Sequence, residues 1–114
     1  MQMEMEIMDI IVNGGDARSS CLKAVRFARK GQLVEANELI KRAEKNLEKA
    51  HNVQTALIQA ELRGEKNEIS LLMVHAQDHL MNAITVKEIS IELIEECKKR
   101  IELEEKVKGL INND

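Results

Sequence analysis

The sequence predicts an all-α protein, an up-down-up antiparallel bundle of three helices. Three observations carry that expectation. The 114 residues contain no proline and are rich in Ala, Leu, Ile, Glu and Lys, the residues long helices prefer. Glycine, the strongest breaker left, stands at two places where a helical run ends on basic residues. Apolar residues recur at helical spacing along most of the chain.

The first predicted helix covers about 4–30. Ala28-Arg29-Lys30-Gly31 reads as a helix C-terminus, with cations in the last turn and glycine just after it. Gly14 and Gly15 lie inside this helix at a cost of about 1 kcal/mol each against alanine. Either the helix bends there or another backbone comes close. The second helix, about 33–63, carries Leu33, Ala36, Ile40, Ala43, Leu47, Ala50, Ala56 and Leu57 on its apolar side. It ends at Gly64 in the same manner. The third, about 68–108, has Asn67 or Ser70 as a candidate cap, and Gly109 with the polar Asn112-Asn113-Asp114 as its end. Glu38–Arg42, Glu95–Lys99 and Glu96–Arg100 stand at the favourable i,i+4 spacing.

Helix three carries several apolar lines. One reads Leu72, His79, Val86, Leu93, and its neighbour is small: Ala76, Ala83, Ser90, Cys97. A third reads Met73, Leu80, Lys87, Ile94, Ile101. Together they are wider than one coiled-coil seam, so the helix is expected to serve both the core and a subunit interface. The small line would admit another helix at close range. Short connections make sequential helices antiparallel.

Composition excludes several classes. Charged residues are 32% of the chain and hydrophobic ones 44%, a globular balance. The net charge of −3 comes from 17 basic and 20 acidic residues that are interspersed, and Phe27 is the only aromatic residue among Phe, Trp and Tyr. No nucleic acid partner is expected without a basic stripe or stacking rings. No apolar run reaches the roughly 18 residues of a membrane span. The start, Met1-Gln2-Met3-Glu4-Met5-Glu6, lacks the basic n-region of a signal peptide, so a cytoplasmic protein is expected. Cys21 and Cys97 have no CxxC spacing and read as buried core thiols.

Against this background Ile69–Val86 is unusual. An otherwise largely apolar stretch contains His75, Gln77, Asp78, His79 and Asn82. Residues three and four apart share a helix side, which groups His75, Asp78 and His79. Polar groups on an apolar face are costly unless satisfied, which suggests function; a face that simply meets solvent is the bland alternative. Three chemistries fit. Neutral imidazole titrates near pH 6.5 and can attack phosphorus through a free lone pair, while a nearby carboxylate orients it. Two histidines at i,i+4 with an aspartate between them could hold a metal. Zinc hydrolysis of the His-Glu-x-x-His type needs a glutamate directly after the first histidine, where this chain has Ala76. His51, in the middle of helix two, reads as structural unless helix two lies beside the site.

The run Ser70-Leu71-Leu72-Met73-Val74-His75-Ala76-Gln77-Asp78-His79-Leu80-Met81, with Gly15-Asp16-Ala17-Arg18-Ser19 and Ala50-His51-Asn52-Val53-Gln54-Thr55, resembles the enzyme IIA component of the lactose/cellobiose (N,N'-diacetylchitobiose) class of the bacterial sugar phosphotransferase system. The resemblance runs from about Met8 to Arg100. It implies a phosphocarrier that takes a phosphoryl group on His75 from the histidine phosphocarrier protein. The group would pass to a cysteine of the IIB component and serve uptake through the membrane IIC component. It further implies a homotrimer, a nine-helix bundle, in which Asp78 meets its copies at a shared divalent ion. Three carboxylates and waters suit Mg²⁺. Gln77 and His79 are candidates for holding the ring or the phosphoryl oxygens. The sugar leans to the cellobiose/chitobiose side. The competing class is a non-enzymatic helical interaction or regulatory module with a structural metal held by His75 and His79.

Overall fold

Small residues at seven-residue spacing build the fold. A computed structural model describes residues 3–66 and 68–112, with side chains described from Glu4 onward. It contains α1 (Met3–Arg29), α2 (Leu33–Leu62) and α3 (Leu71–Asn112). In α1, Ala17 and Ala24 are fully buried, as are Cys21 and Ala28; in α2, Ala36, Ala43 and Ala50 are; in α3, Ala76 and Ala83 are, and Ser90 and Cys97 nearly so. Side chains this short bring helix axes toward the near end of the usual 8–10 Å range. Ile10, Leu80 and Cys21 are the largest fully enclosed side chains. Helix α1 is central: it packs extensively on both partners, whereas α2 and α3 touch each other much less.

Both predicted breaks are helix C-caps of the same kind. Gly31 (φ 83°) donates to the Ala28 carbonyl at 3.0 Å and Gln32 to Phe27 at 2.9 Å. Gly64 (φ 87°) donates to Glu61 at 3.0 Å and Glu65 to Ala60 at 3.1 Å. This paired pattern satisfies the last free carbonyls and needs a left-handed residue, which glycine supplies without strain. At the start of α3 the Ser70 hydroxyl accepts from the Met73 N–H at 3.1 Å, so Ser70 is the cap. Asn67, the other candidate, lies outside the described residues.

Several expectations need correction. Helix α3 begins at Leu71 rather than near 68, because the Ser70 cap sets its first turn. It also runs through Gly109 to Asn112, since one glycine costs only about 1 kcal/mol once a helix is propagating. Ala56 is exposed, because the buried stripe of α2 stops at Ala50 where contact with α3 is thin. None of the three expected surface pairs closes among the described residues. Arg100 instead meets Glu104 at 3.3 Å and donates to the Arg29 carbonyl at 2.8 Å.

The two alternatives for Gly14-Gly15 are resolved in favour of close approach. A Cβ on Gly14 would lie 3.5 Å from His79 Cδ2 and 3.7 Å from Leu80 Cα. The paired glycines let α3 press its backbone onto α1 and seat His79 there.

Candidate functional site

The site is built on the second and third turns of α3. His75 is exposed and His79 half-buried, one turn apart. Their rings stack with centroids 5.8 Å apart and planes 18° from parallel. The Nε2–Cδ2 edge of His79 rests on α1: a Cβ on Gly15 would meet Nε2 at 3.2 Å. Sequence thus becomes geometry in three steps. Glycines on α1 admit an imidazole, that imidazole is wedged by the helix pair, and it offers its face to a second imidazole open to solvent.

The other residues of the group divide between two directions. Gln77 lies about 200° around the helix from His75. Its side chain turns to α2, accepting a hydrogen bond from Gln54 Nε2 and placing its own amide 3.9 Å from Met73 Sδ. Gln77 thereby ties α2 to α3 where their packing is sparse, and within one chain it is directed away from the His75 ring. Asp78 is exposed and accepts from Asn82 Nδ2 at 3.4 Å. His51 is exposed on α2 and does not join the stack.

The stack does not form a chelate. A metal bound by an imidazole lies in the ring plane about 2 Å from nitrogen. Two nearly parallel, stacked planes share no such point. Among the described residues no group of three His, Cys, Asp or Glu side chains in one chain could hold a metal ion. Asp78 is therefore not part of such a group among the described residues. Its surroundings are telling, because exposed Val74 and Met81 flank it and Leu71 and Ile89 follow its line along the helix.

Beyond the stack, a cavity of about 290 Å³ between α1 and α3 is lined by Gly15, Arg18, Ser19, Leu22, Arg26 and His79. In the sequence, Asp16–Ser19 is marked only as part of a resemblance, whereas Gly15 is also marked, with Gly14, as a mid-helix glycine. The available signal was the energetic one, two glycines spent in mid-helix. Gln54 as the partner of Gln77 was not anticipated, and nothing in spacing within either helix could reveal a contact between helices.

Residues 5–98 match the family described as the PTS system lactose/cellobiose specific IIA subunit. The chain belongs to this family. It is 51% identical over 98 residues to the lichenan-specific phosphotransferase enzyme IIA component of Bacillus subtilis, covering 86% of this chain and 89% of that protein. Its fold is similar to the crystal structure of the cellobiose-specific enzyme IIA from Bacillus anthracis, with a TM-score of 0.84, 49% identity and coverage of 87% of this chain and 91% of that one. It is also similar to the IIA(Chitobiose) solution structures solved as a complex with HPr, with a TM-score of 0.76, 35% identity and coverage of 87% and 96%. As a member of the IIA family the chain is a sugar-specific phosphotransferase-system component with an all-helical fold. Among its described residues no helix is long and apolar enough to cross a membrane.

Proposed function

We propose that this IIA component is a cytoplasmic phosphocarrier whose transfer residue is His75. The observation that carries the reading is the stack: an imidazole open to solvent whose face lies on a second imidazole, itself seated on the Gly14-Gly15 pair of α1. A carrier nucleophile needs access for two successive partners and a ring held in one orientation, and phosphoryl transfer is mostly positioning and charge stabilisation. A ring nitrogen of neutral His75 attacks phosphorus of the donor's phosphohistidine. The new N–P bond forms as the donor's N–P bond breaks and its imidazole departs. In the second step a cysteine thiolate of the IIB component attacks the same phosphorus, and the His75 imidazole leaves as a neutral ring. The HPr complex of the chitobiose relative supports the histidine phosphocarrier protein as the donor. The IIB cysteine then gives the group to a hydroxyl of the sugar taken up through the IIC component, which is thus only an indirect partner. The lichenan- and cellobiose-specific relatives support a sugar on the cellobiose/chitobiose side of the family.

His79 positions the His75 ring, and Gln77 supports the site by fixing α3 against α2. Asp78 fits a second role. An exposed carboxylate flanked by the exposed apolar side chains of Val74 and Met81, in no group of three metal-ligating side chains among the described residues of its own chain, suits an axis where three copies meet. Three such carboxylates repel strongly when removed from water. A hard divalent ion, Mg²⁺ by its preference for oxygen ligands, supplies the neutralising charge when bound. The reading is thus a homotrimer in which Asp78 of each copy is the protein ligand.

Incubation with phosphoenolpyruvate and the general phosphotransferase components should add one acid-labile phosphoryl group per chain. His75→Ala should reduce incorporation to background. Normal incorporation in that variant would end the assignment. Asp78→Leu should abolish bound divalent metal, measured by elemental analysis, while sedimentation still shows three chains per particle. Undiminished metal in Asp78→Leu would remove the axial role.

A further inference from the structure

The most uneven charge in the chain lies on α1. Residues 17–34 hold five cations, Arg18, Lys23, Arg26, Arg29 and Lys30, and no Asp or Glu. The other residues hold 12 of the 17 basic side chains and all 20 acidic ones. Opposite charges are interspersed along the chain as a whole, but this segment departs from that expectation. The acids of α1, Glu4, Glu6, Asp9 and Asp16, all precede its cations, an order that suits the helix dipole. Among the described residues the ion pairs are Arg63–Glu65 and Arg100–Glu104, and neither uses a cation of α1.

Packing gathers part of this charge at one place. Arg26, Arg29 and Lys30, from the end of α1, meet Arg100 of α3 around a cavity of about 370 Å³. No carboxylate lines it. All four side chains are exposed, so the cavity opens to solvent. Cations at a helix C-terminus ordinarily answer its free carbonyls. Here those carbonyls are already met. Phe27 accepts from Lys30 and Gln32, Ala28 from Gly31, and Arg29 from Arg100 Nη2 at 2.8 Å. The Arg100 guanidinium is held by that bond and by Glu104, 3.3 Å from its Nε, and no described group meets its Nη1. The side chains of Arg29 and Lys30 are thus not needed as caps. Four like charges around one cavity repel one another until a counter-charge enters.

We infer that the cavity of Arg26, Arg29, Lys30 and Arg100 is a binding site for a phosphomonoester dianion, a sugar phosphate. Guanidinium forks match the oxygens of a phosphate group, and three of the four cations are arginines. The cavity lies within the size range of small-ligand sites. It is more than ten times the roughly 30 Å³ that one water occupies in the liquid, so it has room for a sugar beyond the phosphate. A nucleotide fits less well, because the ring that could stack a base, Phe27, lines a different cavity with Glu35, Glu38, Leu39 and Arg42. The choice of a sugar phosphate rests on the phosphocarrier reading, in which that ester is the end product; the anion site itself rests on the four cations. Arg29 lies 14 residues beyond Gly15, about 21 Å along α1, so a ligand here leaves the His75 stack open. The carrier would thereby sense the product of its own phosphoryl chain at a place separate from transfer.

Titration of the unphosphorylated full chain tests the site. Glucose 6-phosphate, inorganic phosphate, sulfate and glucose are each added at low salt, with binding followed by calorimetry and by backbone amide resonances. Glucose 6-phosphate should saturate one site per chain, shift the amides around Arg29–Gly31 most, and bind at least threefold tighter than phosphate or sulfate. Glucose should shift nothing. The double variant Arg29→Gln/Lys30→Gln should bind glucose 6-phosphate at least tenfold more weakly, while Arg63→Gln, at the exposed end of α2, should bind it as the parent does. Absence of saturation, or equal affinity in the double variant, would overturn the site. Sulfate or free phosphate binding as tightly as the ester would overturn its assignment to a sugar phosphate. Phosphorylation of His75 should be unchanged in the double variant, and that assay reports separately on the carrier reading.

Discussion

Two faces of α3 carry similar apolar content and reach opposite fates. Ala76, Ala83, Ser90 and Cys97 are buried against the body of the same chain. About half a turn away, Leu71, Ile89, Leu103 and Val107 are exposed on the line of Asp78. The inner face uses short side chains to admit another helix. The outer face uses long ones, and they stay exposed. The difference teaches that residue size at seven-residue spacing separates a face closed within the chain from one left exposed. His75 and His79 stand on the flank between the two faces, where a ring can be anchored on one side and open on the other.

The largest expected effect breaks the inner face. Leu80 is fully buried, and Leu80→Ala should lower stability by about 2–5 kcal/mol through lost transfer energy and the cavity left behind. The loss should be the same at all protein concentrations, because the contact is internal. Ile89→Ala sharpens the contrast. Ile89 is 55% exposed in the single chain, so its truncation should cost about 0.5 kcal/mol or less in a dissociated monomer. In an associating chain the apparent loss should grow with concentration. Urea unfolding over a hundredfold range of concentration distinguishes the two; concentration-independent loss for Ile89→Ala would mean that the outer face is not an interface.

The next effect concerns the seat of the stack. A Cβ on Gly14 would make ordinary contacts, the nearest at 3.5 Å. Gly14→Ala should therefore raise stability by up to about 1 kcal/mol, the helix-propensity difference, and leave phosphoryl acceptance unchanged. At Gly15 the new Cβ would stand 3.2 Å from His79 Nε2, so the ring must move by a few tenths of an ångström. Because His75 lies on that ring, Gly15→Ala should slow phosphorylation of His75 more than it changes stability. Equal phosphorylation rates in the two variants would show that the His79 seat does not position His75.

Much of this was legible in the sequence, for identifiable reasons. Gly31 and Gly64 announced their helix ends because a left-handed cap is a local requirement of the chain. The small line of α3 and the stripe from Ala36 to Ala50 were legible because burial follows helical period. The grouping of His75 with His79 followed from one turn of helix. What could not be read was relational. The contact of His79 with Gly14 and Gly15 joins residues more than sixty positions apart, and only the cost of the glycines hinted at it. Gln77 stood among the polar residues of the site, yet its direction toward Gln54 depends on where α2 lies. The end of α3 differs because a glycine stops a helix only where a left-handed turn is also stabilised, and Gly109, unlike Gly31 and Gly64, does not adopt a positive φ.

The smallest effect reads the inner face by titration. Cys21 is fully buried on α1, and burial pushes its thiol above the ordinary range; Lys87 opposes the shift and Glu44 adds to it. The unfolded thiol ionises near about pH 8.5, whereas the folded one stays protonated to higher pH. Above that pH the unfolded chain binds fewer protons than the folded chain, so stability falls as pH rises. The contribution is complete below the unfolded value and is lost as pH climbs through the folded one. The useful quantity is a difference that isolates this one group: unfolding free energy of the parent minus that of Cys21→Ala, followed from pH 8 upward. That difference should decline with pH, and the thiol should react slowly with an alkylating reagent until the chain is unfolded. A flat difference with rapid native-state alkylation would place Cys21 at an opening in the inner face, and the contrast between the two faces of α3 would have to be redrawn around that gap.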